Sequence, residues 1–118
     1  MKNKWIITAA LMGFLGVAIG AFGAHGLRTY LGPQDMEVYR TGVLYHLIHS
    51  AVLLSIGFWG SEKFNKAAAF IFAGIILFSF SLYLYAITGI QFLAFITPLG
   101  GISFLIGWAL IAYYGIKK

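Results

Sequence analysis

The sequence predicts an all-α membrane protein, a bundle of four transmembrane helices. Three observations carry that prediction. Hydrophobic residues make up 61% of the 118 positions and charged ones only 9%, whereas about a quarter of a soluble domain is charged. The mean hydropathy is +0.91. The apolar residues also fall into four runs of about twenty residues or more, each long enough to cross the ~30 Å hydrocarbon core of a bilayer. Lipid must therefore be part of the solvent, and the length suits a single domain, residues 1–118. There is no cysteine, which excludes disulfides, thiolate metal sites, iron–sulfur clusters and a c-type haem attachment. The net charge of +5 is no nucleic-acid footprint, because the basic residues sit singly or in pairs at the ends of the apolar runs.

The first span is expected at 5–27. Lys2 and Lys4 precede it, but the run exceeds the ~7–15 apolar residues of a signal peptide and reads as a retained helix. Ala9, Gly13, Gly16, Gly20 and Gly23 recur at spacings of four and three and form one stripe along that helix. Such small residues let another backbone approach closely in lipid, and Gly16–Gly20 is a GxxxG pair. The groove they make is open to another helix of the same chain, a second copy or a different membrane protein.

Gly32-Pro33 followed by Asp35 marks a helix start, with proline in the first turn and an acid beside it. Met36, Tyr39 and Val43 continue that face, so the second helix should begin near Pro33, project outside the bilayer, and span it over 41–60. A short turn carrying Lys63 and Lys66 leads to the third span, 67–88. Gly89-Ile90-Gln91 is a tight connection to the fourth, 92–116, which Pro98 and Gly100-Gly101 are expected to interrupt.

Four spans place both termini and the 61–66 turn on one side, with Lys2, Lys4, Lys63, Lys66, Lys117 and Lys118. Only Arg28 and Arg40 lie on the other. The positive-inside rule then puts both termini in the cytoplasm. Trp5, Trp59, Trp108, Tyr113 and Tyr114 fall near the cytoplasmic ends, where an aromatic belt belongs.

With this topology, the outer halves of the helices hold His25, Tyr45, His46, His49, Ser79, Ser81, Tyr83, Tyr85 and Thr97, beside the 98–101 break with Pro98 and Gly101. Ionisable groups inside a membrane face the bundle interior or a water-filled cavity and mark functional sites. The pattern suggests a pocket open to the outer face and floored by apolar residues. His46 and His49, three apart, share a helix face. With His25 they are a candidate zinc or copper site, with Glu37 or Asp35 as a further oxygen ligand, although an HxxH pair alone is a weak signal. His25 and His49 are the pair that a bis-histidine haem would use. The alternative is structural, with each imidazole donating to a carbonyl of a neighbouring helix.

Several segments in this order carry a resemblance: Gly20-Ala21-Phe22-Gly23-Ala24-His25-Gly26-Leu27, Tyr45 with His49, Phe78-Ser79-x-Ser81-Leu82-Tyr83 leading to Thr88-Gly89, Thr97-Pro98-Leu99-Gly100-Gly101, and Gly107-Trp108. The chain resembles the bacterial "domain of unknown function 423" family of small four-helix inner-membrane proteins over nearly its whole length. The resemblance implies an integral protein of a bacterial plasma membrane, with a mitochondrial relative in animals, and it implies no activity. The chain departs from the family pattern at His46, where glutamine is expected, and at Phe80, where glycine is expected.

No nucleophile–base–orienter set, phosphate loop or intramembrane carboxylate pair is present, so an enzyme is not expected. The leading expectation is a protein that binds a small molecule or lipid through His25, His49, Tyr45, Ser79, Ser81, Tyr83, Thr97, Pro98 and Gly101. The alternatives are a structural or accessory subunit packed through Gly13, Gly16, Gly20 and Gly23, and a haem or metal protein.

Overall fold

The computed structural model describes residues 2–117 and contains four helices long and apolar enough to cross a membrane. Helix α1 covers Lys2–Gly26. Beyond it the chain turns tightly, with the Tyr30 and Leu31 N–H groups donating to the Leu27 carbonyl at 2.9 and 2.8 Å. Gly32 is extended (φ −68°, ψ 170°) and leads into α2, Pro33–Trp59, with the proline in the first turn. The missing proline N–H would have had no helical partner there. Gly60 ends α2 in the left-handed conformation (φ 77°), its N–H on the Ile56 carbonyl at 3.1 Å.

A 3₁₀ turn over Glu62–Phe64 enters α3, residues 65–88, which has α-helical ends, Asn65–Gly74 and Ser81–Thr88, around a π-helical middle, Ile75–Phe80. Gly89 closes α3 as Gly60 closes α2, at φ 70°. After the extended Ile90, α4 covers Gln91–Ile116.

One expectation about continuity is corrected. Residue 98 does not interrupt α4, which stays helical through Pro98, Gly100 and Gly101. The exposed proline removes one donor, and Thr97 bonds the carbonyl of Leu93 beside the gap at 3.2 Å. The irregularity lies across the seam instead. A Cβ on buried Gly100 would stand 2.7 Å from the Leu77 carbonyl carbon and the Phe78 Cα. The α4 backbone thus reaches α3 where α3 widens into a π turn, a local form that takes an extra residue per turn.

Helix α1 packs on α2, α2 on α3, and α3 on α4. The glycine stripe of α1 is filled from within the chain. A Cβ at Gly16 would lie 2.6 Å from Leu47 Cδ2, one at Gly20 3.0 Å from Val43 Cγ1, and one at Gly23 would enter the Tyr39 ring. Gly13, expected in the same seam, faces open space.

Two apolar clusters form along the bundle. One joins Trp5, Ala9, Leu53, Ile56, Ile71, Ile75 and Phe104. The other joins Tyr39, Tyr83 and Ala86. Trp5 Nε1 donates to Asn65 Oδ1 at 3.0 Å and Lys63 Nζ to the Lys117 carbonyl at 3.1 Å. Those bonds bring the N-terminal turn, the 61–66 turn and the C-terminal turn to one end of the molecule. Lys118, counted above among the cations of that end, lies outside the described residues.

Candidate functional site

The polar residues of the spans gather between and around the two apolar clusters. His46, on α2, is fully buried. Its Nε2 lies 2.7 Å from the Met12 carbonyl of α1 and its Nδ1 2.7 Å from the Tyr83 hydroxyl of α3. A carbonyl can only accept, so Nε2 carries the proton, and in the neutral ring Nδ1 accepts from Tyr83. One imidazole thus ties three helices together. The Phe80 ring meets it edge-on at 5.4 Å.

The local reason is Gly16. A helical carbonyl points towards the residue four ahead, and the side chain there normally screens it. At position 16 there is none, and a Cβ would sit 3.3 Å from the His46 ring. The same arrangement recurs twice. The Tyr39 hydroxyl donates to the Ile19 carbonyl at 2.7 Å, four residues before Gly23. The Ser103 hydroxyl, on α4, donates to the Phe70 carbonyl of α3 at 2.7 Å, four residues before Gly74. The second lone pair of each carbonyl serves the neighbouring helix while the first serves its own.

His49 takes the opposite proton placement. Its Nδ1 donates to the Tyr45 carbonyl of its own helix at 2.8 Å, and Nε2 accepts the Trp108 Nε1–H of α4 at 3.0 Å. The ring stacks on Phe104 with centroids 3.7 Å apart. Trp108, expected in the interfacial belt, therefore also secures α4 to α2. Ser81 Oγ lies 2.6 Å from Thr97 Oγ1, joining α3 to α4. Ser79 Oγ is the one buried side-chain oxygen or nitrogen among the described residues without a partner.

The structure divides the expected site residues into small groups. His46 and Tyr83 meet, and Tyr39 joins them with its ring 5.2 Å from that of Tyr83. His49 meets Trp108 and Phe104, with Tyr45 stacked at 6.0 Å. Ser81 meets Thr97. Gly101 comes within 3.9 Å of the Phe78 ring only through a notional Cβ, and Pro98 is exposed.

His25 stands apart from these groups. It is exposed in the last turn of α1. Gly16 is the α1 residue level with His46, so His25 lies nine residues, about 13 Å, further along the axis. His49 lies on the other side of that level. The His25–His49 pair expected for a haem, and the His25–His46–His49 set expected for zinc or copper, do not assemble. Among the described residues no group of three histidine, cysteine, aspartate or glutamate side chains is placed to hold a metal ion.

The polar contacts also continue along the bundle. The Ser103–Phe70 bond and Ser50, whose hydroxyl bonds the His46 carbonyl at 2.8 Å, extend them towards the other end. Sequence reasoning missed Trp108, Tyr39 and Ser103 as partners. The signal that finds two of them is a glycine four residues after the carbonyl they reach.

The chain is 41% identical to the UPF0382 membrane protein YwdK of Bacillus subtilis, over 96% of each chain. It is 39% identical to the UPF0382 inner membrane protein YgdD of Escherichia coli K12, over 95% of this chain and 88% of that one. A UPF0382 membrane protein of Haemophilus influenzae is 40% identical over 100% of this chain and 98% of its own length. No solved structure matches. The model of the family described as "Protein of unknown function (DUF423)" matches residues 19–101, from the second half of α1 to the middle of α4, and this membrane protein belongs to that family.

Proposed function

We propose that the chain is a structural, non-catalytic protein of a bacterial plasma membrane. Its intramembrane histidines, tyrosines and serines hold a fixed helix arrangement on which accessory contacts to the membrane or to a partner are built. One observation carries this reading: each nitrogen of both buried imidazoles ends on a protein group, Met12, Tyr83, Tyr45 or Trp108. Neither buried imidazole has a lone pair left for a metal, a haem or a substrate. A rigid bundle is the chemistry that such saturation delivers.

Both termini face the cytoplasm in this reading. Lys4, Lys63, Lys66 and Lys117 crowd one end of the bundle and Arg28 and Arg40 the other, as the positive-inside rule requires. The 27 residues of α2 span about 40 Å, more than the ~30 Å hydrocarbon core, so its Pro33 end stands above the outer surface.

The test is a pair of substitutions at one position. Glutamine offers an amide NH2 to donate and a carbonyl to accept, the two roles that His46 plays towards Met12 and Tyr83, whereas leucine offers neither. His46→Gln should melt in mild detergent within about 0.5 kcal/mol of the parent. His46→Leu should lose about 1–2 kcal/mol, near the upper range for intramembrane hydrogen bonds. Equal melting of the two variants would remove the basis of the proposal. So would a stoichiometric metal or haem in the gently extracted parent that leaves on His49→Ala.

A ligand-binding role for His49, Tyr45, Ser79, Ser81, Tyr83 and Thr97 is the second reading. The buried, unpartnered Ser79 hydroxyl favours it. Native mass spectrometry of the same extract separates the two, because a ligand held there adds a mass that Ser79→Ala removes.

A further inference from the structure

A groove of about 220 Å³ runs along the seam of α1 and α2, on a face that none of His46, His49 or Tyr83 lines. Gly20 is its floor, with Tyr39, Val43, Leu44 and Leu47 as walls and Arg40 as its one charged residue. On α2 the walls follow at helical spacing: Arg40 lies one turn above Val43 and Leu44, and Leu47 one turn below those. The groove lining is almost wholly apolar, and Arg40 borders it at the end towards Pro33 with its exposed guanidinium at the rim.

We infer that this groove holds one anionic phospholipid, its phosphate on Arg40 and one acyl chain laid over Gly20 between Leu44 and Leu47. The volume is below the ~300–1,000 Å³ of pockets that enclose drug-sized ligands, and it suits a segment of a single chain. Arg40 is exposed, and a guanidinium at the rim of a bilayer meets a phosphodiester as its natural bidentate partner. Arg40 also lies about 10 Å along the helix from Pro33, where the overhang of α2 brings it to headgroup level. Glu37, one turn before Arg40 and exposed, is the anion of this chain that competes with the phosphate.

The site shares only Tyr39 with the His46 cluster and differs from it in face and chemistry, and it stands whether the histidine clusters are structural or not. The experiment is native mass spectrometry of the full chain in neutral detergent, titrated with phosphatidylglycerol or phosphatidylcholine of identical acyl chains. The parent should take up one phosphatidylglycerol at least about tenfold more tightly than phosphatidylcholine, since both offer the phosphate but the choline cation opposes the Arg40 guanidinium. Arg40→Gln should abolish that preference, and Glu37→Gln should increase it. Arg28→Gln, outside the groove, should leave it unchanged. Leu44→Trp fills the trough from an exposed position and should remove the adduct of either lipid while the melting temperature holds. Equal uptake of the two lipids by the parent overturns the inference, as does a preference that survives Arg40→Gln.

Discussion

The two ends of this bundle are held by different means. At the end with the chain termini, Trp5, Leu53, Ile56, Ile71, Ile75 and Phe104 interlock as apolar side chains, and Leu53, Ile71 and Ile75 are completely buried. Towards the other end α1, α2 and α3 are joined by His46, Tyr39 and Tyr83, each hydrogen-bonded across a helix boundary. The contrast has a physical reason. Lipid tails are as apolar as leucine, so burial from lipid gives little driving force, and helices associate through close packing and polar contacts. Dispersion is summed over many atoms and tolerates small displacements. A histidine that must meet one carbonyl and one hydroxyl tolerates almost none, so it fixes rotation and depth.

The comparison can be broken at either end. The largest effect is expected from Leu53→Ala, which leaves a cavity in the apolar cluster and should cost about 2–5 kcal/mol in detergent melts. A loss under about 1 kcal/mol would mean that this end is not close-packed.

Gly23→Ala should come next, at about 1–3 kcal/mol, because the added methyl enters the space of the Tyr39 ring and pushes the hydroxyl off the Ile19 carbonyl. Tyr39→Phe sharpens the point. If the glycine serves that hydrogen bond, the losses of Gly23→Ala and Tyr39→Phe combine to less than their sum. Strict additivity would make the glycine a packing residue alone.

The smallest effect is expected at Ser79. Its buried hydroxyl has no partner, and removing an unsatisfied donor relieves its desolvation. Ser79→Ala should be neutral or raise stability by up to about 1 kcal/mol. A clear loss would reveal a partner for that hydroxyl.

The sequence made the helices legible where local chemistry decides them. Gly32-Pro33 starts α2, and Gly89 ends α3 with a positive φ that other residues resist. The face of α1 was legible too, since Gly16, Gly20 and Gly23 all lie on it. The candidate site was legible only as a set of polar residues, not as a pattern of contacts. Histidines at 25 and 49 look alike in a sequence read by depth, yet one ends α1 in the open and the other is stacked on Phe104. Pro98 carried a break signal that α4 does not obey, and nothing in Ile75–Phe80 announced the π turn.

Composition, apolar run length and punctuation by glycine and proline by themselves determined that this is a four-helix membrane protein and where its helices begin and end. These follow from transfer of side chains into lipid and from backbone dihedrals, both properties of a residue and its near neighbours. Which carbonyl His46 reaches, which ring covers His49, and that His25 meets neither were decided only when α1, α2, α3 and α4 packed. The acceptors are backbone oxygens, identical at every position, and only the meeting of two helices selects which of them is uncovered.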